Sequence, residues 1–168
     1  MENITKFEKI SYNQFEKDYK NLFNNNIDLK LMYENIKLPY RATKGSAGYD
    51  FYLPFSISLN SGNTIIIPTG IRCKMNEDLV LQIFPRSGLG FKYRLQLDNT
   101  VGIIDSDYYS ALNEGHIMIK ITNNSLDIKV VELKENTAFC QGLFVKYYIT
   151  CDDIANGIRT GGIGSTNK

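Results

Sequence analysis

The sequence predicts an all-β domain carrying a short N-terminal helix and a flexible C-terminal arm. Three observations predict it. From Ile27 onward, short runs of β-branched and aromatic residues alternate with clusters of Gly, Asn, Pro and Asp. Several runs alternate strictly: Ile117, Ile119 and Ile121 share one face, with His116, Met118, Lys120 and Thr122 on the other. Helical periodicity is confined to the residues before Asn24.

That first segment, residues 1–26, reads as a helical extension. Ser11 and Gln14 have the spacing of a capping box, and Ile10 and Phe15 that of a hydrophobic staple. Phe15, Tyr19, Leu22 and Phe23 then form one apolar stripe, so a helix is expected from about Tyr12 to Phe23. Residues 27–158 read as the β body. Expected strands are Leu29–Tyr33, Phe55–Leu59, Thr64–Ile67, Ile71–Met75, Leu79–Phe84, His116–Thr122, Ile128–Val131 and Leu143–Ile149. Many short strands at this spacing imply a sandwich or a barrel. Residues 159–168 are Gly-rich and polar, the composition of a flexible tail.

Composition narrows the function. A net charge of +1 supplies no field to recruit nucleic acid or a membrane surface. No apolar run approaches membrane-spanning length, and the start of the chain lacks a secretory pattern. Cys73, Cys140 and Cys151 are odd in number and widely spaced, which predicts free thiols in a reducing, cytoplasmic setting. A single histidine, His116, and widely spaced cysteines argue against a His/Cys zinc cluster, and no G-x-S-x-G elbow is present.

Five stretches carry candidate chemistry. In Asp98–Tyr109, Gly102 and an apolar triplet precede Asp105 and Asp107, which on a strand would face one side beside Tyr108 or Tyr109. Carboxylates there can activate water or bind a metal; Asp-Ser-Asp is equally turn chemistry. Ser46-Ala47-Gly48-Tyr49-Asp50 joins small residues, suited to close backbone approach, to one acid; a plain turn reads the same way. Pro85-Arg86-Ser87-Gly88-Leu89-Gly90 offers a guanidinium fork, a hydroxyl and inward-turning N–H groups to an anion, or a simple strand-to-loop turn. Gln141 is a polar amide in an apolar run, either a satisfied core group or a ligand contact. Arg159 through Thr166 holds Arg, glycines, Ser and Thr, a phosphate clamp if a ligand orders it and a loose terminus otherwise.

In this order, the five stretches resemble the motifs of the trimeric dUTPase family, the dUTP diphosphatases, over about Leu29 to Thr166. Ile67-Pro68-Thr69-Gly70-Ile71 is similar to the family's Pro-Thr-Gly-Ile turn. The resemblance implies a jelly-roll or β-clip type distorted barrel, a homotrimer with sites between subunits, and hydrolysis of dUTP to dUMP and pyrophosphate with Mg²⁺ on the triphosphate. That activity would limit uracil in DNA and supply dUMP. It implies roles residue by residue. Asp105 would be the general base, with Gln141 touching the water network or the phosphates. Arg86, Ser87 and Gly88 would hold phosphate oxygens, with Arg159, Gly164, Ser165 and Thr166 clasping the outer ones. Asn99 and the backbone from Gly102 to Ile104 would read uracil, Tyr108 would exclude a 2′-hydroxyl, and Asp50 would hold Mg²⁺ through water.

Three departures stand out. Glu114-Gly115-His116 stands where the family runs Gly-Glu, Ala138 replaces an Arg that supports the glutamine, and Ile163 stands where a Phe stacks on the base. Two rivals share the scaffold. A dCTP deaminase would need a carboxylate on the strand 116–122, which has none. A non-catalytic dUTP-binding sensor would not need Asp105.

Overall fold

The structure, a computed structural model, describes residues 4–161. Its elements run β1 (Lys6–Lys9), α1 (Tyr12–Leu22), α2 (Leu29–Glu34), β2 (Tyr49–Tyr52), β3 (Ile57–Leu59), β4 (Thr64–Pro68) and β5 (Ile71–Lys74). Then come β6 (Leu79–Pro85), α3 (Ser87–Tyr93), β7 (Leu95–Leu97), β8 (Gly102–Ile104), a 3-10 helix (Ser106–Ser110), β9 (Met118–Asn123), β10 (Val131–Leu133) and β11 (Ala138–Lys146).

All strand pairs are antiparallel. A four-stranded sheet has the order β2-β11-β6-β8 and a three-stranded one β4-β9-β7, with two-stranded sheets β1-β5 and β3-β10 beside them. Phe51, Leu81, Ile83 and Phe139 of the first sheet and Ile67, Leu95, Ile119 and Ile121 of the second belong to one buried cluster. This is the two-layer burial of a jelly roll. Among the described residues the sheets do not close into the expected distorted barrel. One break is local: after Pro68, Gly70 adopts φ +72°, and the chain leaves the partner of β4 to pair with β1.

The N-terminal helix is where the sequence places it. Ser11 Oγ accepts from the Gln14 N–H at 3.2 Å, and Ile10 and Phe15 are buried. The reciprocal half of the capping box differs. Gln14 turns its amide to Asp18, and the Ser11 N–H donates to the Glu114 carboxylate instead. Phe15 and Tyr19 lie in the same buried cluster as the sheets.

Leu29–Tyr33 is a helix, not a strand. Asp28 caps it, accepting from the Leu31 N–H at 3.0 Å. Leu29 is buried, Met32 and Tyr33 are partly buried, and Leu31 is exposed, so the effective spacing is i, i+3, i+4 rather than alternate. His116, expected on the face opposite Ile117, is fully buried: it precedes β9 and meets α1. Cys73 and Cys140 are buried free thiols and Cys151 is an exposed one. Burial pushes the Cys73 thiol up to about 12 and Cys140 well above its usual range.

Candidate active site

Two clefts gather the candidate residues. The first, about 300 Å³, opens where β8 hands over to the 3-10 helix. Ile83, Leu97, Ile117 and Ile119 give it an apolar lining, and Asn99, Gly102, Ile104, Asp105, Tyr108 and Arg159 line it too. Such a cleft suits a small ligand oriented by a few polar groups. Gly102 is small by necessity: a Cβ there would stand 3.0 Å from Ile83 Cβ.

Asp105 ends the strand and its side chain is half exposed. Arg159 ties it to Asp107, donating from one terminal nitrogen to Asp105 Oδ2 and from Nε to Asp107 Oδ1 at 2.8 Å. The two acids therefore do face one group, although Asp105 is the extended cap of a 3-10 turn and Asp107 lies within it, rather than both on a strand. The Arg159 guanidinium also lies 5.8 Å from the Tyr108 ring centre. Tyr108 is buried, its hydroxyl donating to the His116 carbonyl at 2.8 Å and accepting from the Asn113 amide at 2.8 Å. Burial raises its phenol pKa, so the ring is a neutral wall. Lys120, on the strand where a deaminase would present a carboxylate, pairs with Asp98 at 2.9 Å. That hydrogen bond, with one from Thr122, holds Asp98 below its usual range.

The second cleft, about 530 Å³, is lined by Ser46, Gly48, Asp50, Arg86, Ser87 and Gln141 among others. Arg86 Nε lies 3.4 Å from Asp50 Oδ1. Ser87 and Gly88 open α3 directly behind Arg86, and first-turn N–H groups have no partner within their own helix. Gly48 lets Gln141 pack closely against this stretch: a Cβ there would stand 2.5 Å from the mobile Gln141 Oε1 and 3.4 Å from its Cβ. The opposed pairing Asp50–Gln141–Phe84 sets these side chains in one row across three strands.

The two clefts do not meet. Ile104 is paired with Leu81 of β6, and Arg86 lies five residues further along that strand direction, roughly 16 Å at strand rise. The chain runs antiparallel to β6 there, which carries Asp105 further from Arg86 still. Gly164, Ser165, Thr166 and Ile163 lie outside the described residues. Among the described residues no three His, Cys, Asp or Glu side chains gather as a metal cluster. Asp50 offers a single hard oxygen donor beside the Arg86 guanidinium, a set that fits a divalent ion keeping most of its waters and not a protein cage. Among the described residues no helix is long and apolar enough to cross a membrane.

Residues the sequence reading left aside also bear on the cleft. Asp18 meets His116 at 2.6 Å, and Asn113 holds Tyr108. For Asp18 a signal existed: it lies three residues after Phe15, an acid on the apolar side of α1.

Similarity to known proteins bears on the family and the fold. The dUTPase family model matches residues 34–166. The deoxyuridine 5'-triphosphate nucleotidohydrolase of Lactococcus lactis is 37% identical over 134 residues, covering 78% of this chain and 88% of the relative. The crystal structure of dUTPase from Streptococcus mutans superposes with a TM-score of 0.64 at 31% identity, covering 86% of this chain and 97% of that one. A dUTPase from phage phi11 of S. aureus, described with a coordinated structural Mg(II) ion, shares the fold. Its TM-score is 0.63 at 19% identity, covering 88% of this chain and 94% of that one.

Proposed function

This chain belongs to the dUTPase family, and on that footing we propose how its own residues carry the reaction. The activity is hydrolysis of dUTP, a dUTP diphosphatase reaction giving dUMP and pyrophosphate. Asp105 takes a proton from the water that attacks the α-phosphorus. Pyrophosphate leaves in line, and the barrier falls mainly through positioning and charge stabilisation. Asn99 and the backbone of Gly102–Ile104 meet the uracil edge, and Tyr108 lies against the deoxyribose where a 2′-hydroxyl would clash. The observation that carries this reading is the convergence of Asp105, Asn99, Gly102, Tyr108 and Arg159 on one largely apolar cleft.

Arg86, Ser87 and the Gly88 N–H hold phosphate oxygens, and Gln141 holds the phosphates or the water network beside them. Arg159 belongs to a C-terminal arm, residues 159–168, that closes over the outer phosphates with Gly164, Ser165 and Thr166. Asp50 would hold Mg²⁺ through its water shell, and the ion would neutralise triphosphate charge. A general base must lie within hydrogen-bond reach of its water. The separation of Asp105 from Arg86 therefore supports sites shared between subunits of a homotrimer, with the base and the phosphate clamp drawn from different chains. The deaminase reading is not favoured, because Lys120 is tied to Asp98 and its strand carries no acid.

The test is pyrophosphate release from dUTP with Mg²⁺, beside dCTP, dTTP and UTP, for the native chain and Asp105→Asn. The variant is expected to lose about 10²–10⁴-fold in kcat, the usual worth of a positioned base. A fully active variant would remove Asp105 from the role. No turnover by the native chain while dUTP still binds would favour a sensor.

A further inference from the structure

We propose that Asp18 on the N-terminal helix and His116 form a positioning pair that fixes Tyr108 in the cleft wall. Two residues that do not line the cleft themselves would then set its selectivity for the sugar. This rests on the reading that Tyr108 lies against the deoxyribose.

The geometry dictates one protonation pattern. The Gly70 N–H points at His116 Nε2 from 2.8 Å, so that nitrogen must accept. The ring proton then lies on Nδ1, facing Asp18 Oδ2 at 2.6 Å. Gln14 donates a second bond to the same carboxylate oxygen at 2.9 Å. His116 is fully buried and Asp18 nearly so. Burial pushes the Asp18 pKa up, but the bonds from His116 and Gln14 outweigh it and hold the group ionised. The imidazole is therefore bolted at both nitrogens, once to α1 and once to the Pro68–Gly70 turn.

The same residue presents its carbonyl to Tyr108. The phenol donates to it at 2.8 Å, and the Asn113 amide bridges to the phenol oxygen. A fixed imidazole fixes the His116 backbone, and that backbone fixes the ring. Two further ties run from the N-terminal segment to the loop that follows Asp105. The Ser11 N–H and hydroxyl donate to Glu114 at 2.7 and 2.6 Å, and the Tyr109 hydroxyl donates to Glu8 at 2.6 Å. Burying the Asp18 carboxylate carries a desolvation cost that its hydrogen bonds do little more than offset, so the contact is a poor source of net stability. What such a pair supplies is a single orientation, and here the oriented group is the ribose wall.

The test compares kcat/KM for dUTP with kcat/KM for UTP in the full chain. Loss of folded protein scales both equally, so their ratio reports position rather than stability. Asp18→Ala is expected to lower the ratio about tenfold, a small part of what misplacement in a site can cost. Asp18→Asn, which keeps the shape but only a neutral acceptor, is expected to lower it less, and it serves alone if the Ala variant does not fold. Tyr108→Phe frees the ring from His116, and Asp18→Ala added to it should change the ratio no further, because both act through one tie. Tyr108→Leu tests the underlying reading. If Tyr108→Leu lowers the ratio while neither Asp18 variant shifts it, the positioning pair is refuted and the reading of Tyr108 stands. If Tyr108→Leu leaves the ratio unchanged, the ribose-wall reading itself falls, and the inference with it.

Discussion

Replacing Phe15 with Ala tests whether the N-terminal helix is a working part of the body. Phe15 is fully buried, with the rings of Tyr19, Tyr33 and His116 centred 6.1, 5.8 and 6.4 Å away. Gly70 faces it with no side chain to move into the gap. Truncating such a Phe costs about 3–5 kcal/mol, the transfer term plus an unfilled cavity. That is a large share of the roughly 5–15 kcal/mol that holds a domain of ordinary stability. For a chain of this length the melting temperature should fall by roughly 6–20 °C, taking about 2–4 °C per kcal/mol. The assay is urea unfolding by far-UV circular dichroism at one fixed protein concentration, because assembly shifts apparent stability. A loss below about 1 kcal/mol with unchanged denaturant slope would show that α1 is not docked as described and would refute the reasoning.

Other outcomes follow from the same geometry. With the proposed trimer and its shared sites, co-expressing differently tagged Asp105→Asn and Arg86→Ala chains and purifying mixed assemblies should restore about one third of native activity, since each closed ring of three then holds one intact pairing out of three. Sites contained within one chain would restore none. Gly115→Ala should weaken dUTP binding and lower stability together. Its φ is +70°, and a Cβ would stand 2.7 Å from the Tyr108 carbonyl oxygen; native-like binding and melting would contradict this. Glu8 is held down to about 2 from 4.5, first by its hydrogen bond from Lys6 and then by that from Tyr109. Its folded pKa is depressed, so its contribution is present above about 4.5 and is lost as pH falls toward about 2. Glu8→Gln should flatten the urea midpoint across that window, and an unchanged acid limb would count against the Tyr109 tie.

Much of the candidate site was legible because its residues come in contiguous stretches. Gly102 through Tyr108, Arg86 through Gly88, and Asp50 each present their groups from one short segment, and local sequence carries that. The N-cap at Ser11 was legible for the same reason. Leu29–Tyr33 was not, because five residues cannot separate a period of two from one of 3.6, and Asp28 as a cap decides the matter. β1 escaped notice because three of the four residues of Lys6–Lys9 are charged, and it becomes a strand only through its pairing with β5. The Asp18–His116 contact joins residues 98 positions apart. No period in either segment announces such a meeting; the acid on the apolar side of α1 was the one local sign.

The three thiols differ in a way that makes the protein its own reporter. Cys73 and Cys140 are buried, with ionisation suppressed, so at neutral pH neither presents a thiolate to a reagent. Cys151 is exposed, eight positions before Arg159. A maleimide dye added to the folded native protein should therefore attach at this one position, with no cysteine added or removed. It would stand just before Arg159, where a change in its anisotropy on adding a non-hydrolysable dUTP analogue would test the proposed closure in real time.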